Sequence, residues 1–106
     1  MNPPNPKTDK IAVHISEDLK PLIPGYLADR RRDLQRMGVL FEADDLAAIQ
    51  EIAHMLKGSG ASYGFDQLTV LGDELEMAAA GNQSKPVKSL LDRLANYLSR
   101  LEVVYT

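Results

Sequence analysis

Apolar residues recur every three to four positions along most of the chain, which is the spacing of amphipathic helices. Four such stretches are separated by short segments rich in glycine, asparagine or aspartate. Four helices with short connections bury their apolar faces best as a bundle, so the pattern predicts an all-α fold, an antiparallel four-helix bundle. The predicted helices cover residues 16–38, 44–62, 66–81 and 84–104.

The first of these helices has two competing start signals. Ser16 is followed by two acidic residues and can cap the helix, whereas Pro24 lies deeper and either kinks the helix or marks its true start. Gly38 is the predicted stop.

The segment that precedes the helices alternates in a different way. Residues 11–15 interleave three aliphatic side chains with Ala12 and His14, a pattern that suits a short strand. No later segment offers a partner strand, so we expect an extended or helical lead-in lying on the bundle. Residues 1–10 are rich in proline and asparagine and predict a disordered tail, which leaves 11–106 as one domain.

Composition narrows the classes of partner. A chain of 106 residues suits a single domain, and its net charge of −3 gives nucleic acid or an anionic membrane no long-range attraction. The chain has no cysteine, and its apolar runs are too short to span a bilayer. We therefore expect a cytoplasmic monomer whose partners are proteins.

The second predicted helix carries a histidine away from its apolar side. At about 100° per residue, Ile49, Ile52, Ala53 and Leu56 cluster on one side, and His54 lies roughly 120° to 140° from their centre. The imidazole is therefore expected to face solvent.

Lys57 and Gly58 follow this histidine at one-turn spacing. Helical side chains lean toward the amino end, so the residue four positions after His54 would lean over its ring, and that residue is Gly58. Lys57 places a cation near any negative group on the ring. An uncovered neutral imidazole beside an ammonium suits accepting a phosphoryl group, whose transfer spreads negative charge over three oxygens. Close helix packing is the simpler explanation for Gly60 and Gly64, but it fits Gly58 poorly.

The residues that form a recognisable motif are His54-x-x-Lys57-Gly58-Ser59, Gly64 and Leu75-Glu76. Together they resemble the signature of histidine-containing phosphotransfer (HPt) domains of bacterial two-component phosphorelays, and the resemblance extends from about Ser16 to the end. The family implies a four-helix bundle with a phosphorylatable histidine on its second helix. Such a domain exchanges phosphoryl groups with the aspartates of receiver domains and has no ATP binding or autokinase activity of its own.

By position, the resemblance implies that His54 is the phosphoacceptor, that Lys57 stabilises the phosphate and that Gly58 keeps the site clear. Two positions depart from the pattern. Gly60 stands where many members have a second serine, and Glu76 stands where some members have a polar residue that binds phosphate. A carboxylate at that position is expected to repel phosphate.

The resemblance also implies partners. Response-regulator receiver domains, and a hybrid sensor kinase, are the expected ones, with magnesium held only by the receiver and no cofactor or metal site in this chain. Docking is expected around His54 at small or adaptable side chains, namely Gln50, Met55, Ala61 and Ser62.

Other interpretations remain open. A helical module that binds a partner or dimerises without covalent chemistry would have the same bundle. A histidine kinase dimerisation domain fits less well because a hairpin of two long helices is absent. A metal site shared by His14 and His54 lacks ligand spacing. The arginines of residues 30–36 alternate with Asp29 and Asp33, which indicates a solvated, ion-paired face more than a docking patch.

Overall fold

A computed structural model describes residues 9–106, so most of the predicted tail, residues 1–8, lies outside the described part of the chain. The four predicted helices are confirmed, with two short 3-10 turns and two strands in addition. In chain order the elements are β1 (Ile11–Ile15), a 3-10 turn (Glu17–Leu19), α1 (Ile23–Glu42), α2 (Leu46–Gly60), a 3-10 turn (Ala61–Tyr63), α3 (Asp66–Ala80), α4 (Ser84–Arg100) and β2 (Leu101–Tyr105).

The all-α prediction needs one correction, because the two ends of the described chain pair as a parallel two-stranded sheet. Ile11 lies opposite Leu101, and Ile15 lies opposite Tyr105. The expectation that the segment 11–15 has no partner strand is therefore wrong. Parallel strands need a long crossover connection, and here the whole helical body is that connection.

The first helix begins at the later of its two predicted starts. Ser16 caps the preceding 3-10 turn, and Pro24 lies in the first turn of α1, where its missing N–H costs no hydrogen bond. The predicted stop at Gly38 is wrong, since α1 continues for another turn. Met37 is fully buried and Phe41 packs on the core, so burial on both sides outweighs the roughly 1 kcal/mol that a helical glycine costs.

The core combines apolar residues of all four helices with Ile15 of β1 and Phe65 of the α2–α3 connection. Within residues 9–106 no polar or charged residue is buried. Tyr26 stacks on Tyr63 and Phe65, with ring centroids 4.2 and 5.8 Å apart, and this aromatic cluster packs the end of the bundle.

The most extensive helix contact joins α2 and α3. A Cβ added to Gly72 would lie 2.6 Å from the backbone nitrogen of Lys57 and 3.0 Å from the backbone oxygen of Ala53, so the backbones of α2 and α3 are in close contact. A Cβ on Gly60 would lie 2.7 Å from Thr69, which confirms the close-packing explanation for that glycine. This contact fixes which α3 side chains face the exposed side of α2.

Gly64 ends the second 3-10 turn in the left-handed conformation, with φ of +89°. Only glycine adopts this conformation without strain, so Gly64 allows the chain to turn from α2 into α3. None of the helices between residues 9 and 106 combines the length and hydrophobicity that crossing a bilayer requires.

Candidate functional site

His54 lies on the exposed side of α2, as its spacing predicts. Its side chain is 72% exposed, while Ile49 and Ala53 on the opposite side of the helix are fully buried. The helix begins at Leu46, two residues later than the predicted 44, and the Asp45 carboxylate caps it by accepting a hydrogen bond from the Ala48 N–H. Burial of the apolar side therefore fixes the direction in which the imidazole points.

Glu76 of α3 contacts one nitrogen of this imidazole. Its Oε2 lies 2.5 Å from His54 Nδ1, and the Glu76 side chain is only 21% exposed. An ionised carboxylate can only accept a hydrogen bond, so Nδ1 carries the proton and donates it. The lone pair of the neutral ring then lies on Nε2. The sequence predicts that Glu76 repels phosphate. The structure adds a second effect, a direct contact between Glu76 and the imidazole of His54.

Lys57 lies between two carboxylates of α3. Its Nζ is 3.0 Å from Asp73 Oδ1 and 3.5 Å from Glu76 Oε1. The hydrogen bond to Asp73 and the charge of Asp73 raise the pKa of Lys57, with a smaller contribution from Glu76. Lys57 is therefore a fixed cation next to the histidine. We refer to His54, Glu76, Lys57 and Asp73 as the charge network.

Gly58 leaves the imidazole uncovered. Within residues 9–106, a Cβ added at this position would meet nothing within 4 Å beyond the adjoining turns of its own helix, so neither the core nor another helix requires a glycine there. The helix loses about 1 kcal/mol of propensity at Gly58, and no packing contact offsets it. This open space is what access to the ring would require.

The carboxyl end of α2 is held in place from both sides. Ser59 Oγ lies 3.0 Å from the Tyr26 hydroxyl on α1. On the α3 side, Thr69 Oγ1 donates to the Lys57 carbonyl at 3.0 Å and accepts from the Ala61 N–H at 2.8 Å. These bonds satisfy backbone groups that a helix end leaves free, and they fix the turn that carries Lys57 and Gly58.

The four predicted docking residues divide into two groups. Gln50 and Met55 line a shallow groove that also contains His54, and Met55 is 71% exposed. Ala61 and Ser62 are exposed in the 3-10 turn beyond α2 and do not line that groove. A partner that covers His54 therefore meets Gln50 and Met55 first.

The remaining candidates do not join this site. His14 lies on β1, and across residues 9–106 no group of three or more histidine, cysteine or acidic side chains is placed to hold a metal ion. Arg30 lies 2.9 Å from Asp33 and Arg32 lies 2.7 Å from Asp29, which confirms the ion-paired interpretation for these two arginines.

Sequence reasoning missed Asp73 and Thr69. Asp73 and Glu76 are three residues apart on α3, which places them on one face of that helix. This acidic spacing was the available signal. It did not reveal the contact with Lys57, because that contact depends on how α3 is positioned against α2.

The chain matches a known protein family and is similar to a phosphorelay protein. Residues 22–103 match the family model of the Hpt domain. Among curated proteins, the chain is similar to the phosphorelay protein LuxU of Vibrio cholerae serotype O1 (strain ATCC 39315 / El Tor Inaba N16961). The two are 28% identical over 101 residues, which cover 94% of this chain and 89% of LuxU. No solved structure matches the chain.

Proposed function

We propose that this chain, which belongs to the Hpt domain family, carries a phosphoryl group on His54 between the aspartates of receiver domains. The family and the likeness to a phosphorelay protein support a role in phosphorelay signalling. The observation that carries the proposal is an exposed imidazole whose Nδ1 is bonded to Glu76, which leaves the lone pair of Nε2 for the reaction.

The transfer step follows from the tautomer of His54 that has its proton on Nδ1 and its lone pair on Nε2. The Nε2 lone pair attacks the phosphorus of an aspartyl phosphate, the N–P bond forms, and the P–O bond to the aspartate breaks, so the carboxylate leaves with the electron pair. The ring becomes cationic while Nδ1 keeps its proton, and the Glu76 carboxylate stabilises that charge. In the second transfer an acceptor carboxylate attacks the phosphorus, and the N–P electron pair returns to Nε2.

Lys57 and Gly58 have separate roles in this step. The Lys57 ammonium lies one turn from His54 and offsets negative charge on the phosphoryl oxygens. Gly58 leaves space for the donor to approach in line with the P–O bond that breaks.

Receiver domains are the proposed partners, including the receiver of a hybrid sensor kinase. The receiver docks over the groove that contains Gln50, Met55 and His54, and it contributes the magnesium ion. We propose that the carrier acts as a monomer in the cytoplasm and that it neither binds ATP nor phosphorylates itself.

The test is transfer from receiver domains of the same genome, each phosphorylated with radiolabelled acetyl phosphate. At least one receiver is expected to label the wild type with an acid-labile, alkali-stable bond, the stability expected of phosphohistidine. His54→Gln should take no label, whereas the matched control His14→Gln, which removes the other exposed histidine, should label like wild type.

Three outcomes would contradict the proposal. Label that persists in His54→Gln would place the chemistry on another residue. Receivers that bind the wild type but never label it would favour the interaction module without covalent chemistry. Label from ATP and a kinase without any receiver would indicate a kinase-linked domain instead.

A further inference from the structure

We propose that Asp73 is a positioning residue that holds the Lys57 ammonium, limits the accumulation of phosphohistidine, and thereby makes His54 a stronger phosphoryl donor. The inference rests on the proposed function, because it concerns the same histidine. It adds a residue that lies outside the His-Lys-Gly motif, on a different helix.

The geometry places Asp73 nearer to Lys57 than Glu76 is. Lys57 Nζ lies 3.0 Å from Asp73 Oδ1 and 3.5 Å from Glu76 Oε1, while Glu76 uses its other oxygen for His54. The Lys57 ammonium therefore contacts two carboxylates in the unphosphorylated protein. Its shorter contact is with Asp73, which does not contact the histidine.

A phosphoryl group on Nε2 would change this balance. The group carries about two negative charges, and it enters a network in which one cation already faces two carboxylates. For Lys57 to approach the phosphoryl oxygens, its contact with Asp73 must weaken or break. The loss of this contact disfavours phosphohistidine relative to the phosphoaspartate of a receiver, so Asp73 acts through Lys57 to favour transfer away from His54.

The measurement is the equilibrium ratio of phosphorylated His54 to phosphorylated receiver, with a receiver that labels the wild type. Asp73→Asn keeps the side-chain size and removes the charge. It should raise the ratio about two- to fivefold, the size expected for a half-exposed charge pair. The matched control is Asp92→Asn, which removes one charge from an exposed pair with Lys88 on α4 and should leave the ratio unchanged.

A double-mutant cycle tests whether Asp73 acts through the lysine. In a Lys57→Ala background the effect of Asp73→Asn should shrink, because no ammonium is left for Asp73 to hold. An undiminished effect in that background would mean direct repulsion between Asp73 and the phosphoryl group, and it would overturn the positioning role.

The outcomes separate this inference from the proposed function. A wild type that no receiver labels ends the proposed function, and the inference ends with it. A labelled wild type with an equal or lower ratio in Asp73→Asn overturns the inference alone. An independent readout is the pKa of Lys57, followed by NMR without any phosphorylation. Asp73→Asn should lower this pKa and Asp92→Asn should not, and an unchanged pKa in Asp73→Asn would overturn the contact itself.

Discussion

At the scale of single residues, the Glu76 carboxylate decides which imidazole nitrogen is free for the proposed transfer. A histidine that faces solvent without a partner exchanges between its two neutral tautomers, and only the tautomer with its proton on Nδ1 presents Nε2 as a nucleophile. The contact between Glu76 and Nδ1 selects that tautomer and fixes the orientation of an otherwise exposed ring. In the proposed transfer, the same contact would stabilise the positive ring that carries the phosphoryl group.

Replacing Glu76 by alanine should therefore slow phosphoryl transfer by about 10-fold or more, by analogy with the loss of a partner that orients a metal-bound histidine. The fold should remain, since Glu76 is outside the buried core. Nitrogen NMR of His54 reports the tautomer directly, and the alanine variant should lose its preference for a proton on Nδ1. An unchanged tautomer and rate would show that Glu76 does not orient the ring.

Gly58 provides a prediction in which stability and activity separate. Gly58→Leu should retain the wild-type fold, because a Cβ meets nothing there, but it should slow transfer by covering the imidazole. The matched control is Gly38→Leu on α1, where a Cβ is equally free of contacts, and transfer should stay at the wild-type rate. Single-turnover transfer and circular dichroism are the measurements, and a wild-type rate for Gly58→Leu would rule out the clearance role.

The sequence is enough to identify His54, Lys57 and Gly58 as candidate site residues, because they lie close together in the chain. They lie within five residues of one helix, and helical geometry alone predicts the exposed ring. The contacts of Glu76 and Asp73 could not be predicted in the same way. They join residues 16 to 22 positions apart, and they depend on the position of α3 against α2.

At the scale of elements, the close contact between α2 and α3 assembles the charge network. Gly72 allows the α3 backbone to lie against that of α2 at Ala53 and Lys57. Thr69 adds a hydrogen bond to the Lys57 carbonyl one turn earlier on α3. The site therefore depends on a packing distance that one added methyl group would change.

Gly72→Ala should destabilise the protein by about 1–3 kcal/mol, the usual cost of overpacking, because its Cβ would lie 2.6 Å from a backbone nitrogen of α2. Gly58→Ala is the matched control in the same pair of helices. Its Cβ is free, so it should gain about 1 kcal/mol from helix propensity. Urea denaturation measures both, and equal stability changes in the two variants would contradict the close contact.

The strands show where sequence patterns become ambiguous. Leu101 follows Leu98 at a spacing that continues the apolar face of α4, so the sequence pattern predicts a helix that extends to Val104. The same residues also fit a strand in which Leu101, Val103 and Tyr105 pack on the core. The strand forms because residues 11–15, about 90 positions earlier in the chain, supply its partner, and no local pattern reveals a partner at that distance.

At the scale of the whole molecule, the parallel strand pair joins the two ends of the described chain, while the helices between them form the core. Ile15 is buried in the same cluster as residues from all four helices. The histidine lies on the outside of this assembly and is not part of the core, so its replacement should leave the fold intact. Chemistry at His54 can therefore be tested without unfolding the protein.

Global stability should fall at alkaline pH through Tyr97. Burial raises the pKa of Tyr97 to about 12, above its ordinary 10.0. Between these two values the unfolded chain releases the tyrosine proton while the folded chain keeps it, so the free energy of unfolding falls as pH rises. Lys57 contributes with the same sign, because its pKa is also raised.

Tyr97→Phe keeps the buried ring and removes the ionisable group. Its free energy of unfolding should fall less steeply than that of the wild type between pH 10 and 12, while the contribution of Lys57 cancels in the comparison. Urea denaturation at several pH values measures the two slopes. Identical slopes would show that Tyr97 ionises in the folded chain as readily as in the unfolded chain.

The most direct test of phosphoryl transfer through His54 is to locate the phosphoryl group on the intact protein. Wild-type protein phosphorylated by a receiver is examined by phosphorus and nitrogen NMR, which identify both the residue and the ring nitrogen that carries phosphorus. We expect a single N–P bond at Nε2 of His54, with the proton of Nδ1 still bonded to Glu76. Phosphorus on Nδ1, or on any other residue, would contradict this expectation.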